Sequence, residues 1–317
     1  MKITEHISKA KSTLFSLEII PPKKGDSIQN LFDQIDPLME FKPPFIDVTY
    51  HREEYVYKEH ANGLLEKKSI KKRPGTVGIC AAIQNHYKVD AVPHIICGGF
   101  SREETENALI DLNFLGIDNI LALRGDGIKS EPQFVPEQDG HAYASDLVNH
   151  VANMNKGDYL DEELQNAIPT NFCIGVAGYP EKHFEAPNME FDLQWLKKKV
   201  ELGAEYIVTQ MFFDNKPYFE FVDLCRANGI DIPIIPGLKP FATKSQLTTL
   251  PKIFKIDVPP ELEQQVTKCK DNKEVAELGI EWGINQCKEL VEKGAPVLHF
   301  YSMGKSDAIY RIAKELF

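Results

Sequence analysis

Short apolar runs alternate along the chain with longer segments in which apolar residues recur at helical spacing. The short runs are rich in β-branched and aromatic residues, and each ends at a proline, a glycine or a polar residue. Such nearly continuous apolar runs are typical of strands that are buried in a parallel sheet. The pattern predicts eight strands, at residues 15–20, 45–50, 93–97, 119–123, 173–177, 206–213, 232–238 and 297–303.

The segments between these runs predict helices, and turn residues mark several of their ends. Ser101 and Glu104 have the spacing of a capping box, and Gly116 lies where a glycine commonly ends a helix. Residues 76–82 predict either a ninth short strand or part of the second connection. Residues 250–294 hold more helix than one unit needs, which predicts an extra helix before the eighth strand. The main predicted helices are residues 27–39, 102–114, 144–154, 191–202, 217–228 and 306–316.

Eight strands that alternate with helices in a chain of 317 residues predict an α/β fold, a single (β/α)₈ TIM barrel. The alternative fold is an open, doubly wound sheet. The sequence has no internal repeat, no low-complexity tract and no Gly/Ser-rich linker. We therefore expect residues 1–317 to form one catalytic barrel domain.

Charge and composition exclude several classes of protein. The chain has 36 Lys and Arg against 47 Asp and Glu, a net charge of −11, which argues against nucleic acid or an anionic membrane as a partner. No apolar run approaches the ~20 residues of a membrane helix, and no secretory signal precedes the first strand. The six cysteines are scattered without a C-x-x-C pair. We expect a cytoplasmic protein with reduced thiols and no metal site.

Polar side chains occur near the carboxyl end of almost every predicted strand. In (β/α)₈ barrels the active site lies at this end of the strands, whereas the opposite rim contributes to stability. Any single member of the set could instead point outward or cap a helix, but their convergence indicates a functional site. The residues are Glu18, Thr49, His94, Arg124, Asp126, Tyr179, Gln210 and Lys305.

Glu18 interrupts an otherwise apolar strand and should face the barrel axis. A carboxyl group in a partly dry pocket has a raised pKa and can act as a general acid near neutral pH. The alternative interpretation is a structural ion pair with a nearby base.

Two basic motifs are consistent with a phosphorylated or flat ligand. Gly125, between Arg124 and Asp126, lets a backbone approach such a ligand closely, while arginine offers a forked donor. The run at residues 197–199 is either a solvated face of a helix or a group that reaches a diphosphate. Lys305 lies in a Gly-Lys-Ser sequence that lacks the first glycine of a Walker A motif, and no G-x-G-x-x-G occurs.

Taken together, the ordered segments resemble the 5,10-methylenetetrahydrofolate reductase family, in its bacterial type that consists of the catalytic barrel. The resemblance extends from residue 15 to about residue 305. It is carried by FSLEIIPP at 15–22, VTY at 48–50, PH at 93–94, LALRGD at 121–126, YASDL at 143–147, YPEKH at 179–183, TQMFFD at 209–214, IPG at 235–237 and HFY at 299–301.

The resemblance implies a flavin enzyme of one-carbon metabolism that supplies methionine synthesis. Family members are (β/α)₈ barrels that hold FAD non-covalently at the carboxyl ends of the strands. NADH or NADPH reduces the flavin and leaves, and methylenetetrahydrofolate then accepts the hydride to become 5-methyltetrahydrofolate, a ping-pong reaction. The resemblance favours NADH, and oligomers are usual in the family, so we expect a homo-oligomer.

The resemblance also assigns roles to individual residues. Glu18 matches the general acid, and Asp126 matches the aspartate beside the flavin and the pterin. Gln210 matches a residue that contacts folate or nicotinamide, and Lys305 a residue that contacts the substrate. The residues that match FAD contacts are Thr49, His94, Arg124, Gly125, Asp126, Tyr143, Ala144, Tyr179, His183, Asp192, Lys198 and Lys199.

Several positions depart from the family pattern. His51 follows the VTY motif where a small residue is expected, and Trp195 stands where a polar contact to the nucleotide is expected. Lys198 and Lys305 replace arginines of bacterial relatives and lose the bidentate fork. The second connection, residues 51–92, is longer than expected, and the chain is expected to lack the C-terminal regulatory domain of eukaryotic relatives.

Two other functions stay open at this point. One is a different barrel enzyme of a folate or corrinoid pathway, a lyase or methyltransferase without flavin. The other is a pterin or flavin carrier that keeps the pocket without turnover.

Overall fold

The computed structural model describes residues 1–128 and 133–317 of the chain. Residues 129–132, which lie between the predicted strand at 119–123 and the predicted helix at 144–154, are outside the described residues. The strands are β1 (Leu14–Ile19), β2 (Phe45–Val48), β3 (Glu54–Glu59), β4 (Leu65–Ile70), β5 (Asp90–Ile96), β6 (Asn119–Leu123), β7 (Cys173–Gly178), β8 (Tyr206–Thr209), β9 (Ile234–Ile235), β10 (Gly237–Leu238) and β11 (Val297–Tyr301).

Helices follow or separate these strands, and a 3₁₀ turn at Asp36–Phe41 continues the second helix. The predicted capping box is confirmed, since the Glu104 amide donates to Ser101 Oγ and the Ser101 amide to Glu104 Oε2. The helices are α1 (Ile3–Lys9), α2 (Gln29–Ile35), α3 (Thr76–Tyr87), α4 (Arg102–Phe114), α5 (Ala144–Met154), α6 (Met189–Glu201), α7 (Asn215–Ala227), α8 (Gln246–Phe254), α9 (Pro260–Lys268), α10 (Asn272–Glu292) and α11 (Asp307–Lys314).

Nine strand segments form one parallel sheet in the order β10–β11–β1–β2–β5–β6–β7–β8–β9. The two end segments, β9 and β10, belong to the single strand predicted at residues 232–238 and are separated by Pro236. Proline has no amide hydrogen to donate, so the strand is interrupted there. The sheet therefore closes through Pro236, and the predicted (β/α)₈ barrel is confirmed.

Successive residues of the barrel strands face opposite layers. Leu17 and Ile46 point outward into the core between sheet and helices, whereas Phe45 and Tyr206 point inward. Gly175 also faces inward, and a Cβ atom there would overlap the Tyr206 ring. That ring is held by the Tyr206 hydroxyl, which donates to the Ile120 carbonyl at 2.9 Å.

Helix α1, which the hydrophobic pattern did not predict, closes the amino-terminal end of the barrel. Ile3 is fully buried among the inward-facing apolar residues of the strands. The Ile3 amide donates to Asn119 Oδ1 at 2.9 Å, and the Met1 amino group lies 2.8 Å from Asp90 Oδ1. The amino-terminal end of the barrel is therefore filled by an apolar side chain, and the Ile3 amide and the Met1 amino group are both paired. This is expected for the rim that contributes to stability.

The long second connection contains an antiparallel hairpin and a helix. Strands β3 and β4 pair with each other along their whole length and are mostly exposed. Residues 76–82 belong to α3, so the strand alternative is wrong and the segment is part of the connection. The hairpin base is fixed to the loop after β1, where the Lys24 amide donates to the Lys72 carbonyl at 2.9 Å.

The extra helical segment before the last strand is confirmed as α8, α9 and α10. Helix α10 packs over the end of β8, where Trp282 Nε1 and Gln286 Nε2 donate to the carbonyls of Phe213 and Phe212. None of the helices in the described residues combines the length and apolar content needed to cross a bilayer.

Candidate active site

Three ionisable side chains from three adjacent barrel strands meet on the axis. Glu18 lies on β1, Asp47 on β2 and His94 on β5, and we call them the axial cluster. His94 Nε2 lies 3.5 Å from Glu18 Oε2 and 3.6 Å from Asp47 Oδ2. The alternation of strand residues places all three inward, because their sequence neighbours face the outer core.

The environment of Glu18 favours its protonated form. Its pKa is raised to about 7, chiefly by burial, with His94 opposing the shift and the Asp47 charge adding to it. Some 14 % of its side chain remains exposed, whereas Asp47 is 1 % exposed. A carboxyl group that is half protonated at neutral pH and open to the barrel mouth can donate a proton to a ligand.

Asp47 and its surroundings form the floor beneath Glu18. Burial raises the pKa of Asp47 to about 6, and His299 opposes this shift. Ser16 Oγ and His299 Nδ1 lie 2.8 Å apart. Neither oxygen of Asp47, nor His94 Nε2, nor His299 Nε2 has a hydrogen-bond partner within residues 1–128 and 133–317.

Asp47 and His299 were not among the predicted site residues. Both signals were present, because each is a polar residue that alternates with outward-facing apolar residues in its strand. Asp47 lies in the run at residues 45–50, in which Thr49 was considered instead. His299 appeared only within a motif of the resemblance.

A second group of predicted residues is joined by contacts at the ends of β6 and β7. Arg124 forms a bidentate ion pair with Glu185 at 2.7 and 2.9 Å, which raises the arginine pKa and lowers that of the glutamate. Gly125 has a φ of +85°, a conformation that glycine adopts without strain. Asp126 is exposed. Burial is the main reason that the pKa of Tyr179 is raised, and the charge of Asp126 raises it further.

Tyr179 is linked in turn to the loop that precedes α6. Its ring contacts the His183 ring edge-to-face at 4.6 Å between centroids. The His183 amide donates to Asp192 Oδ2 at 2.8 Å, and burial lowers the pKa of the imidazole. The contact fixes the loop against the first turn of α6.

The two lysines predicted near a diphosphate lie in the last turn of α6 and differ in environment. Lys199 Nζ reaches back to donate to the Ala177 carbonyl of β7 at 2.9 Å, and burial lowers its pKa to about 8 against the opposing Asp192 charge. Lys198 is exposed, with Nζ 4.9 Å above the Trp195 ring.

Trp195, which departs from the family pattern, stacks with Tyr143 at 5.7 Å between ring centroids. The pair joins the amino-terminal end of α5 to the middle of α6. Tyr143 directly precedes Ala144, the first residue of α5. The next residue, Ser145, is buried and its hydroxyl has no hydrogen-bond partner in the part of the chain that the structure describes. Stacked rings beside a free donor and a lysine form a surface suited to a nucleotide.

The remaining predicted residues lie at separate strand ends of the same rim. Thr49 follows β2, and its amide donates to the Ile19 carbonyl at 3.0 Å. Gln210 follows β8, where its Oε1 accepts from the Met211 amide at 2.9 Å. Lys305 is exposed in the turn after β11. Across the described residues, no group of three or more His, Cys, Asp and Glu side chains is arranged to hold a metal ion.

A parallel barrel with a carboxyl group of raised pKa on its axis and charged and aromatic side chains on the same rim is typical of a (β/α)₈ barrel enzyme. A sequence profile described as methylenetetrahydrofolate reductase matches residues 2–317. The chain belongs to the methylenetetrahydrofolate reductase family.

Individual relatives agree with this family. The chain is 34 % identical over 316 residues to methylenetetrahydrofolate reductase (NADH) 1 of Arabidopsis thaliana, covering 96 % of this chain and 48 % of that protein. It is 31 % identical over 304 residues to the 5,10-methylenetetrahydrofolate reductase of Escherichia coli, covering 95 % of this chain and 90 % of that protein. The chain thus spans about half the length of the plant relative.

A solved structure shares the fold. It is a Clostridium thermocellum protein described as binding two copies of 5-methyl-5,6,7,8-tetrahydrofolic acid. The superposition has a TM-score of 0.55 at 16 % identity and covers 99 % of this chain and 97 % of that chain. At this identity the likeness concerns the architecture.

Proposed function

We propose that the protein reduces 5,10-methylenetetrahydrofolate to 5-methyltetrahydrofolate with NADH or NADPH and bound FAD, in a ping-pong reaction. The observation that carries the proposal is the Glu18 carboxyl group, whose pKa of about 7 suits a general acid at neutral pH. Family membership supplies the substrate class, and the rim residues supply the surface for a flavin nucleotide. The product would supply methionine synthesis, in a cytoplasmic, homo-oligomeric protein formed by a single domain at residues 1–317.

The residues at the rim fit FAD. The unpartnered, buried Ser145 hydroxyl and the stacked pair of Tyr143 and Trp195 would receive the adenosine half and its phosphates. The ammonium groups of Lys198 and Lys199 would offset the diphosphate charge. The other residues that we assign to FAD are Thr49, His94, Arg124, Gly125, Asp126, Ala144, Tyr179, His183 and Asp192.

The chemistry that bound FAD would supply is hydride transfer, from the nicotinamide and then to the folate carbon. Glu18 would donate its proton to the folate nitrogen that leaves the methylene carbon, which opens the five-membered ring to a cationic iminium. Asp126, with its exposed carboxylate, would stabilise that positive charge. Gln210 and Lys305 would hold the folate, Gln210 through its amide and Lys305 through its ammonium.

Axial burial also explains how Glu18 keeps its proton between turnovers. The Asp47 carboxylate below it disfavours a second negative charge, while the barrel mouth leaves Glu18 accessible to solvent protons. The proposal includes both NADH and NADPH as reductants, since relatives include an NADH enzyme of Arabidopsis and a probable NADPH enzyme of Caenorhabditis elegans.

The decisive experiment is anaerobic stopped-flow spectroscopy of both half-reactions in the wild type and in Glu18→Gln. The wild type should show a flavin spectrum that NADH or NADPH bleaches and that methylenetetrahydrofolate restores. Glu18→Gln removes the proton but keeps the shape. It should leave flavin reduction within about threefold and slow the folate half-reaction by about 1000-fold, the loss of a general acid.

Glu181→Gln is the matched control. Glu181 lies at the same rim, and burial raises its pKa to about 7, yet it accepts a hydrogen bond from the Asp257 amide and faces other acids. Its replacement should leave both half-reactions unchanged. A protein that cannot be reconstituted with FAD would contradict the cofactor, and equal rates of both half-reactions in Glu18→Gln and wild type would contradict the acid role.

A further inference from the structure

The hairpin of β3 and β4 stands away from the barrel. Its two strands pair with each other in a sheet of their own, separate from the barrel sheet. A cavity of about 260 Å³ lies between the start of the hairpin and the first turn of α4, with Tyr55, Gly99 and Glu104 in its wall. A two-stranded hairpin is at best marginally stable in water by itself. The exposed length of this hairpin would therefore gain stability from a second surface.

Apolar side chains are exposed on both faces of the hairpin. Tyr57 and Leu65 are 58 % and 65 % exposed, and Val56 and Ile70 on the other face are also exposed. Tyr57 pairs with Lys67 in the strand register, so Leu65 is its diagonal neighbour on the same face. Exposed apolar side chains that lie together on a surface mark a site of interaction.

The hairpin is basic although the chain is acidic. Residues 54–73 carry six basic and three acidic side chains, whereas the whole chain has a net charge of −11. Lys67 and Lys68 are exposed at the centre of β4. Antiparallel pairing of β4 with the same strand of another copy would place these lysines opposite each other, which is unfavourable. A partner of the hairpin should instead offer apolar side chains among carboxylates.

The connection from α5 to β7 has these properties. Residues 158–168, which we call the acidic loop, carry four acidic side chains and no basic one, and Ile168 is 81 % exposed. The Tyr159 hydroxyl donates to the Ile168 carbonyl at 2.7 Å, and the Leu160 amide donates to Glu106 Oε2 at 2.9 Å. Because the loop is held in place before it binds anything, docking on it costs little conformational entropy.

The hairpin and the acidic loop belong to opposite ends of the barrel. The hairpin follows β2, at the carboxyl ends of the strands, whereas the acidic loop precedes β7, at the amino ends. Helix α4 packs on the barrel between them, since β5 and β6 lie between β2 and β7 in the sheet, and its last residue, Phe114, is 82 % exposed. A twofold axis perpendicular to the barrel axis turns one barrel upside down. It thereby brings the hairpin of each copy toward the acidic loop of the other.

We propose that the hairpin and the acidic loop are the two halves of an interface between copies of this chain, in a twofold dimer that contains the contact twice. The proposal specifies the surfaces of the homo-oligomer in the proposed function, on which it rests, and it does not depend on the reaction. Two hairpins would bring lysines together, and two acidic loops would bring carboxylates together, so unlike surfaces pair best. Their contact covers Tyr57, Leu65 and Ile168, with Phe114 near the centre of the interface.

The test exchanges the charges of the two surfaces in the full chain. Lys67→Glu with Lys68→Glu is the hairpin variant, and Glu162→Lys with Glu163→Lys is the loop variant. All four side chains are exposed. Sedimentation velocity measures the dimer dissociation constant of each protein over a range of salt concentrations. One variant carries a mass tag, so that native mass spectrometry separates heterodimers from homodimers.

The wild type should form a dimer whose dissociation constant rises with salt, because screening weakens the attraction between the surfaces. The hairpin variant and the loop variant should each have a dissociation constant raised at least about 100-fold, because the reversed charges repel at both contacts. An equimolar mixture of the two variants should form heterodimers with nearly the affinity of the wild type. In that heterodimer each of the two contacts again joins unlike charges.

Lys288→Glu with Lys293→Glu is the matched control. It makes the same change in net charge as the hairpin variant, at exposed positions in α10 and directly after it. The control should dimerise like the wild type. Far-UV circular dichroism and the thermal midpoint check the folding of every variant. In the hairpin variant, Lys67 gives up a cation–π contact with Tyr55, which contributes little at an exposed site.

Three outcomes would overturn the interface. The first is a wild type that is monomeric at every concentration. The second is a folded hairpin or loop variant that dimerises as tightly as the wild type. The third is a mixture of the two variants that stays monomeric, which would show that the two surfaces do not contact each other. Growth of the wild type into open chains with rising concentration would overturn the twofold arrangement.

Failure of the interface is distinguishable from failure of the proposed reaction. Both half-reactions are measured on the same wild-type sample as its mass. A dimer with interchangeable charges that does not reduce methylenetetrahydrofolate would contradict the reaction and support the interface. A monomer that completes both half-reactions would overturn the interface alone.

Discussion

The barrel holds two buried groups of carboxylate and imidazole side chains that differ in hydrogen bonding. The axial cluster is described above. The outer cluster consists of Glu106 on α4, His150 on α5 and His141 before α5. Here Glu106 Oε2 lies 3.1 Å from His150 Nε2 and accepts from the Leu160 amide at 2.9 Å, while His141 Nε2 lies 2.9 Å from His150 Nδ1.

The contrast separates a structural role, in the outer cluster, from the proposed catalytic role of the axial cluster. In the outer cluster the buried polar atoms satisfy one another, which stabilises the contact between two helices. In the axial cluster the imidazole and carboxylate groups lie 3.5 to 3.6 Å apart, and several of their polar atoms are unpaired among the described residues. Unpaired buried groups cost free energy, and they also leave the proton affinity of Glu18 responsive to a ligand.

The largest effect on stability is expected from Glu106→Gln. Both contacts of Glu106 reach the same oxygen, Oε2, so the glutamine amide oxygen can take its place, but the negative charge that strengthens both hydrogen bonds is lost. We expect a loss of about 2–3 kcal/mol in the free energy of unfolding, measured by urea denaturation, with both half-reactions unchanged. Glu103→Gln, at an exposed position one turn earlier in α4, is the control and should stay within about 0.5 kcal/mol. A stable variant with impaired kinetics would reverse the comparison.

Asp47→Asn tests the axial cluster by electrostatics. In the proposed reaction Glu18 acts in its protonated form, so the rate of the folate half-reaction should fall as pH rises through its pKa of about 7. Removing the Asp47 charge lowers that pKa and moves the fall to lower pH. At pH 8 we expect a rate below that of wild type, because above the pKa the protonated fraction of Glu18 falls about tenfold for each unit by which its pKa is lowered.

The Asp47 experiment has its own control and a thermodynamic counterpart. Ser16→Ala breaks the contact with His299 without changing a charge, so its pH midpoint should equal that of wild type. The raised pKa of Asp47 also makes the folded state take up protons between pH 4 and 6, so its contribution to stability is lost as pH rises through that range. Asp47→Asn should lack this dependence. A lower rate at every pH with an unchanged midpoint would indicate a purely structural role.

The smallest effect on stability is expected from the titration of His141 at acid pH. Burial lowers the pKa of its imidazole to about 4, and the neighbouring His150 and Arg102 charges act in the same direction. The unfolded chain therefore binds more protons between pH 4 and 6.5, and stability is lost as pH falls through that range. We expect a contribution of about 1 kcal/mol between pH 7 and 5, seen as a shallower pH dependence of urea midpoints in His141→Gln. Identical slopes for variant and wild type would refute it.

Much of the fold could be predicted because it follows from local signals. The strand runs, the Ser101 capping box and the polar interruption at Glu18 each depend on a few neighbouring residues, and the structure confirms the barrel they predict. The break at Pro236 was within reach, because proline rarely continues a strand without interruption. The prediction nevertheless treated residues 232–238 as one continuous strand, without a break at Pro236.

The parts that were missed depend on contacts distant in sequence. Helix α1 is short and polar apart from Ile3 and Ile7, so its apolar face has meaning only once the barrel end that it covers exists. Asp47 looked like one polar residue among several. Its importance comes from His94, which the fold brings from another strand.

The interior of the barrel carries a constraint between two positions on adjacent strands. The Tyr206 ring fills the space where a side chain at 175 would begin, so Gly175 and Tyr206 share one volume. Neither position accepts a larger side chain unless the other becomes smaller. A smaller residue at 206 alone leaves a cavity and removes the hydrogen bond that the Tyr206 hydroxyl donates to the Ile120 carbonyl. Sequence drift at this layer must therefore proceed by paired exchange, a bulky residue moving from one strand to its neighbour while the total packed volume is conserved.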